Sequence, residues 1–121
     1  MNKALKFEKI KKILSSIALK KIDNSQKEDK LFIDRSSNLD EKFIRQLDLI
    51  NNVISLLETA STQNDELATQ AALSYLRTHA MSFSDFFYVI VDDIDTLLDK
   101  SSWAEFPENY KIPDHYNFRE E

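Results

Sequence analysis

Hydrophobic residues recur every three or four positions in four stretches of the chain, a spacing that places them on one face of an α-helix. These stretches are residues 3–21, 39–60, 64–79 and 83–100. Polar residues separate them, and a segment with two prolines follows the last one. The pattern predicts an all-α domain: a small bundle of about four helices in residues 1–100, and an irregular, aromatic-rich C-terminal tail in residues 101–121.

The first predicted helix is amphipathic. Its apolar stripe consists of Phe7, Ile10, Leu14, Ile17 and Ala18, and its opposite face carries Lys9, Lys12 and Lys20. This pattern favours a helix packed on a core, although lysine-rich amphipathic helices also bind anionic membranes. The polar composition predicts a linker in residues 23–37, in which Leu-Phe-Ile at 31–33 fits either a helical turn or an anchor onto the core.

The second and third helices are expected to form a tight hairpin. Asn38 and Glu41 match a capping box at the start of the second helix. The apolar residues of a bundle seam follow: Leu39, Phe43, Leu47, Ile50, Ile54 and Leu57. Residues 61–65 predict the turn, with Thr62 or Asn64 as the N-cap of the third helix. The predicted buried face of that helix is alanine-rich and allows close approach: Leu67, Ala68, Ala71, Ala72, Tyr75 and Leu76.

The fourth helix combines a wide apolar face with an acidic one. Ser82 and Asp85 match a cap signature at its start. At 100° per residue the apolar residues fall within an arc of about 140°. They are Phe83, Phe86, Phe87, Ile90, Val91, Ile94, Leu97 and Leu98. The opposite arc carries Asp85, Asp92, Asp95 and Asp99, with Tyr88 beside them.

Composition excludes several enzyme classes. The chain contains no glycine and no cysteine. Phosphate-binding loops, dinucleotide-binding turns and nucleophile elbows need glycine, while disulfides and thiolate chemistry need cysteine. The aspartates match no calcium loop and lack the ExxH partners of bundle metal sites. His79 is expected to interact with the C-terminal end of the third helix. We therefore predict no catalytic residues, no metal, no cofactor and no enzymatic activity.

Charge divides the chain into a basic arm and an acidic body. Residues 1–30 carry a net charge of +5 and residues 31–121 carry −10, for a total of −5. Such an arm is expected to fold onto the body, to meet an acidic partner or to contribute to self-association, so a homodimer stays open. No apolar stretch is long enough to span a bilayer, and no secretory or transit signal is evident, which predicts a cytoplasmic protein.

The tail is rich in aromatic residues and contains Pro107 and Pro113, which break helices. Its aromatic residues are Trp103, Phe106, Tyr110, Tyr116 and Phe118. Large rings are costly to leave in water. The tail is therefore expected either to pack over the bundle as a strap or to offer a contact surface to another molecule.

Residues 56–86, LLETASTQNDELATQAALSYLRTHAMSFSDF, resemble a helical-hairpin segment of uncharacterised phage and mobile-element proteins. The resemblance covers about a quarter of the chain. It implies a hairpin and a mobile-element origin, and it implies no catalytic residues. The resembling proteins commonly carry glycine where this chain has Ala80, and glycine is the usual left-handed stop of a helix.

Two functions are compatible with these features. The first is a small acidic, non-enzymatic binding protein, such as a phage or mobile-element inhibitor, immunity or anti-defence factor. It would occupy a basic surface on a protein partner through Asp92, Asp95, Asp99, Trp103, Phe106 and Tyr110. The alternative is a nucleic-acid-associated regulatory module that uses helices three and four as a helix-turn-helix. Because its recognition helix would be acidic, direct binding to phosphates is unfavourable.

Overall fold

A computed structural model describes residues 4–21, 31–33, 36–100 and 103–119. These residues form three α-helices and no β-strand: α1 (Phe7–Lys21), α2 (Leu39–Thr62) and α3 (Glu66–Lys100). A 3₁₀ turn at Asp114–Tyr116 lies in the tail. The all-α prediction is confirmed. The described parts of the predicted linker, 31–33 and 36–37, are not helical, and the rest of it lies outside the described residues.

Local hydrogen bonds cap α2 at both of its ends. Asn38 caps α2 as predicted, because its side chain accepts a hydrogen bond from the Glu41 amide at 2.9 Å. At the other end Asn64 adopts a left-handed conformation with φ 56°, the position for which glycine is usual. The amide of Asp65 then donates to the Ala60 carbonyl at 2.9 Å, which completes a Schellman turn.

The N-cap of α3 is Asp65, and the prediction of Thr62 or Asn64 is wrong. The Asp65 carboxylate accepts a hydrogen bond from the Ala68 amide at 3.1 Å. Thr62 still belongs to α2, where its hydroxyl donates to the Glu58 carbonyl at 2.8 Å. Asn64 is used for the turn itself. The side chain that is free to cap the next helix is therefore the one immediately after the turn.

The predicted third and fourth helices are a single helix of 35 residues, α3. Ala80 has no tendency to stop a helix, unlike a glycine at the same place. Ser82 does not cap a new helix, because its hydroxyl donates to the Thr78 carbonyl at 3.2 Å within the same helix. His79 consequently lies in the interior of α3, so the predicted interaction with a helix C-terminus is wrong.

The seam between α2 and α3 follows a strict alternation of three and four residues. On α2 the seam positions, all of them buried or half-buried, are Leu39, Phe43, Gln46, Ile50, Val53, Leu57 and Ala60. On α3 they are Ala72, Leu76, His79, Phe83, Phe86, Ile90, Asp93 and Leu97. Leu47 and Ile54 were predicted to lie in the seam, but they are 40% and 48% exposed. The register of the pair, rather than hydrophobicity, selects Gln46 and Val53 in their place.

The predicted apolar face of the fourth helix is only partly buried. Phe86, Ile90 and Leu97 belong to the core or pack against it. The remaining flank of this face is exposed, and it consists of Phe87, Val91, Ile94 and Leu98. Leu67, Ala71 and Tyr75, predicted to be buried earlier in α3, are also exposed. A two-helix hairpin buries one narrow seam, so a wide apolar face retains an uncovered flank.

The core is concentrated where α1 meets the open end of the hairpin. Its buried residues are Leu14, Leu31, Ile33, Leu39, Ile90 and Leu97. Beside it the rings of Phe7, Phe43, Phe83, Phe86 and Phe87 form a cluster that joins all three helices. Residues 31–33 were predicted to be either a helical turn or an anchor onto the core. The anchor is confirmed, because Leu31 and Ile33 are buried.

The starts of α1 and α2 cap each other. The Asp40 carboxylate accepts a hydrogen bond from the Phe7 amide at 2.9 Å, and the Glu8 carboxylate accepts one from the Leu39 amide at 2.8 Å. Lys11 forms an ion pair with Glu8 at 2.8 Å and donates to the Ser37 carbonyl at 2.8 Å. Each helix therefore supplies an acceptor for an otherwise unpaired amide of the other.

This mutual capping predicts an acid-sensitive contribution to stability. The hydrogen bond from Lys11, and next that from the Leu39 amide, hold the pKa of Glu8 below its ordinary value of 4.5. A lowered pKa in the folded state stabilises the fold above the ordinary value, and this gain is lost as pH falls through the folded pKa. Glu8→Gln is expected to lower the melting temperature at neutral pH but not in acid below that pKa.

Melting temperatures of the wild type, Glu8→Gln and Glu105→Gln are measured at a series of pH values, from neutral pH to acid below the folded pKa of Glu8. Glu105 is exposed in the tail, so its variant makes the same change of charge without the capping contacts. If Glu8→Gln lowers the melting temperature by the same amount at both ends of the pH range, the proposed role of the ionised Glu8 is contradicted.

Candidate functional site

The three aspartates predicted to bind a partner lie on one surface of α3. Asp92, Asp95 and Asp99 are spaced three and four apart, which places them in a line along one face of the helix. Asp95 and Asp99 are exposed, and Asp92 is half-buried. Among the described residues no basic side chain pairs with them. They therefore form an acidic line whose charge is directed to solvent.

A fourth aspartate in the same stretch has a different role, which the sequence reasoning missed. Asp93 is 0% exposed. Its two carboxyl oxygens accept hydrogen bonds from the amides of Phe32 at 2.6 Å and Ile33 at 2.8 Å. The signal was available, because Asp93 lies three residues after Ile90 and four before Leu97, on the apolar face. It fastens the 31–33 segment to α3 and is not available to a partner.

Trp103 is held against the end of α3. Its indole Nε1 donates to the Leu97 carbonyl at 2.8 Å, so it satisfies one of the carbonyls that the last helical turn leaves unpaired. The Lys21 ammonium at the end of α1 lies 4.8 Å from the centre of the Trp103 ring. Trp103 thus connects the tail to both helices, and about half of its surface is still exposed.

The tail beyond Trp103 is exposed throughout its described length, residues 103–119. Phe106 is 79% exposed, and its ring packs edge-to-face on that of Tyr110 at a centroid distance of 5.4 Å. A turn in which the Tyr110 amide donates to the Pro107 carbonyl at 3.3 Å brings the two rings together. Phe106, the first residue of this pair, comes three residues after Trp103. Asp99, the last residue of the acidic line, comes four residues before Trp103.

A cavity of about 410 Å³ lies between the 31–33 segment, α2 and α3. The polar side chains in its wall are those of Lys42, Gln46, Ser82 and Asp85. The Oε1 atom of Gln46 is buried, and no donor among the described residues bonds to it. The cavity is on the scale of small-molecule pockets, but none of the residues predicted to bind a partner lines it.

Metal binding has no structural support in the described part of the chain. Within it, no three or more His, Cys, Asp or Glu side chains are grouped so that they could hold an ion. The absence of a metal at the acidic line stays a prediction, which calorimetric titration with divalent cations would test. In the same part of the chain, no helix has the length and apolar character needed to cross a bilayer.

Comparison of the chain with known protein families, with characterised proteins and with solved structures finds no match.

Proposed function

We propose that this protein is a small acidic binding factor, without enzymatic activity, that occupies a basic surface on a protein partner. The observation that carries the proposal is the exposed Phe106–Tyr110 ring pair, which follows the acidic line along the chain, past the end of α3. Exposed aromatic rings are costly in water and are enriched at the centres of protein interfaces. An inhibitor, immunity or anti-defence factor of a phage or mobile element would have such a surface.

Charge and apolar contact have separate roles in this proposal. The field of Asp95 and Asp99 speeds the encounter with a basic partner, and this effect weakens as salt shortens the Debye length from about 10 Å at 0.1 M. Phe106 and Tyr110 supply the apolar anchors that slow dissociation. Trp103 contributes by holding the tail in place, since its indole is already bonded to the end of α3.

The alternative, a helix-turn-helix built from residues 64–79 and 83–100, loses its main support. That motif needs a turn between its two helices, and α3 is helical through this region. The exposed face of the second half carries Asp95 and Asp99, which would repel phosphates. We therefore favour a protein partner.

The test begins with affinity capture from cells of the source organism by the wild type and by three variants. Asp95→Asn/Asp99→Asn removes the exposed charge, and Phe106→Ala/Tyr110→Ala removes the anchors. Asp48→Asn is the control, because Asp48 is an exposed aspartate on a different helix, α2. Binding kinetics with the captured protein are then measured at low and high salt.

We expect the charge variant to associate roughly tenfold more slowly at low salt, with little change at high salt. The ring variant is expected to dissociate at least roughly tenfold faster at both salt concentrations. Asp48→Asn should match the wild type. The proposal is overturned if the captured protein binds both double variants with wild-type kinetics, or if only nucleic acid is captured.

A further inference from the structure

An apolar stripe runs along one side of the α2–α3 hairpin. It consists of Leu47 and Ile54 on α2 and Leu73, Phe87, Ile94 and Leu98 on α3, and all six are exposed. Five of the six, all but Leu98, occupy the same kind of position. Each comes directly after a seam residue whose next seam residue lies four positions later in the same helix. In an antiparallel pair, positions with this relation lie on the same side of the two helices. The stripe is therefore one continuous surface.

We infer that this stripe is the interface with a second copy of the chain, and that two hairpins pack antiparallel to form a four-helix arrangement. The spacing of the stripe supports such an interface. Leu47 and Ile54 lie seven residues apart, as do Phe87 and Ile94, and Leu98 follows Ile94 by four. A repeat of this length is the pattern that another α-helix, packed nearly parallel to the first, would cover.

The exposed area of the stripe also fits an interface between two copies. The six side chains together expose on the order of 600 Å², which equals or exceeds the largest apolar patch of a typical monomer. Two copies facing each other would bury on the order of 1,200 Å² before the polar rim is counted, which is enough for a specific interface.

The distribution of charge along the hairpin sets the direction of packing. Residues 46–76, which include the hairpin turn, contain no lysine or arginine but carry Asp48, Glu58, Asp65 and Glu66. At the open end, α1 begins beside the stripe, where the Phe7 and Phe87 rings lie 5.9 Å apart, and α1 carries exposed lysines such as Lys9 and Lys12. Antiparallel packing places the acidic turn of one copy near α1 of the other.

The test of the interface is sedimentation equilibrium of the full chain, whose mass is 14.1 kDa. The wild type is expected to sediment as a dimer. Ile54→Glu and Leu73→Glu are expected to weaken dimerisation by at least roughly 100-fold, because each buries an unpaired carboxylate. Leu56→Glu is the matched control: it is 43% exposed, against 48% for Ile54, but lies on the opposite flank of α2.

Circular dichroism confirms that each variant keeps its helices. A monomeric wild type at the highest attainable concentration overturns the inference, as does a Leu56→Glu variant that dissociates as completely as Ile54→Glu.

The direction of packing has its own test, since the chain contains no cysteine. Leu73→Cys and Leu98→Cys lie near the two ends of the α3 part of the stripe. Under mild oxidation of a mixture, antiparallel packing is expected to yield the disulfide between the two different variants. Disulfides between identical variants, or none from a chain that sediments as a dimer, would overturn the antiparallel arrangement.

Discussion

Replacing Asp93 with alanine is expected to lower the free energy of unfolding by about 3–5 kcal/mol. Its carboxyl group is fully buried and accepts hydrogen bonds from the amides of Phe32 and Ile33. The variant leaves these two amides without an acceptor, and Ile33 is itself buried. Each unpaired buried amide costs about 1–3 kcal/mol, and the lost side chain adds a cavity.

Urea unfolding measures this loss, and Asp95→Ala is the matched control. Asp95 lies two residues away on the same helix but is exposed, so its replacement is expected to change stability by less than about 0.5 kcal/mol. Hydrogen exchange of the Phe32 and Ile33 amides should accelerate in Asp93→Ala alone. Equal stabilities of the two variants, with unchanged exchange at Phe32 and Ile33, would show that Asp93 does not hold this segment.

The second large effect is expected at Phe43, the residue that contacts most of the phenylalanine cluster. Its ring centroid lies 5.0 Å from that of Phe7 and 5.4 Å from that of Phe83, with Phe86 and Phe87 at 5.8 Å and 6.2 Å. Phe43→Ala removes the ring that links α1, α2 and α3. We expect the free energy of unfolding to fall by about 3–4 kcal/mol, because buried apolar surface and ring pairs are lost and a cavity is left.

Ile44→Ala provides the comparison, because Ile44 is the next residue of α2 and is exposed. Its loss should stay below about 1 kcal/mol. Phe43→Leu should fall between the two, since leucine fills part of the cavity without edge-to-face contacts. The assignment of Phe43 as the hub would be wrong if Phe43→Ala unfolded at the same urea concentration as Ile44→Ala.

Features that depend on neighbouring residues were predictable from the sequence. The cap at Asn38, the start of α2 at Leu39 and the turn after Thr62 follow from side chains within a few positions of one another. The same holds for the acidic line, because helical spacing alone places Asp92, Asp95 and Asp99 together. The break predicted near Ala80 failed because Ser82 and Asp85 match a cap signature, while the serine hydroxyl bonds equally well within a continuing helix.

The candidate binding site was predictable only in part, because some of its contacts do not follow from helical spacing or residue type. Phe106 and Tyr110 could be identified as candidate anchors from their residue type, but their mutual contact depends on a turn at Pro107. The bond from Trp103 to the Leu97 carbonyl was not predictable, because no residue pattern specifies which of several unpaired carbonyls an indole reaches.

By itself, the sequence determined that the domain is helical, where its main hairpin turns, and which side of α3 is acidic, since these depend on helical periodicity and local hydrogen bonds. Only the tertiary structure decided which apolar residues are buried. The register of α2 on α3 placed Gln46 in the seam and left Leu47 and Ile54 outside it. It also decided that Asp93 is buried, because its partners at Phe32 and Ile33 lie about 60 residues away along the chain and meet it only through folding.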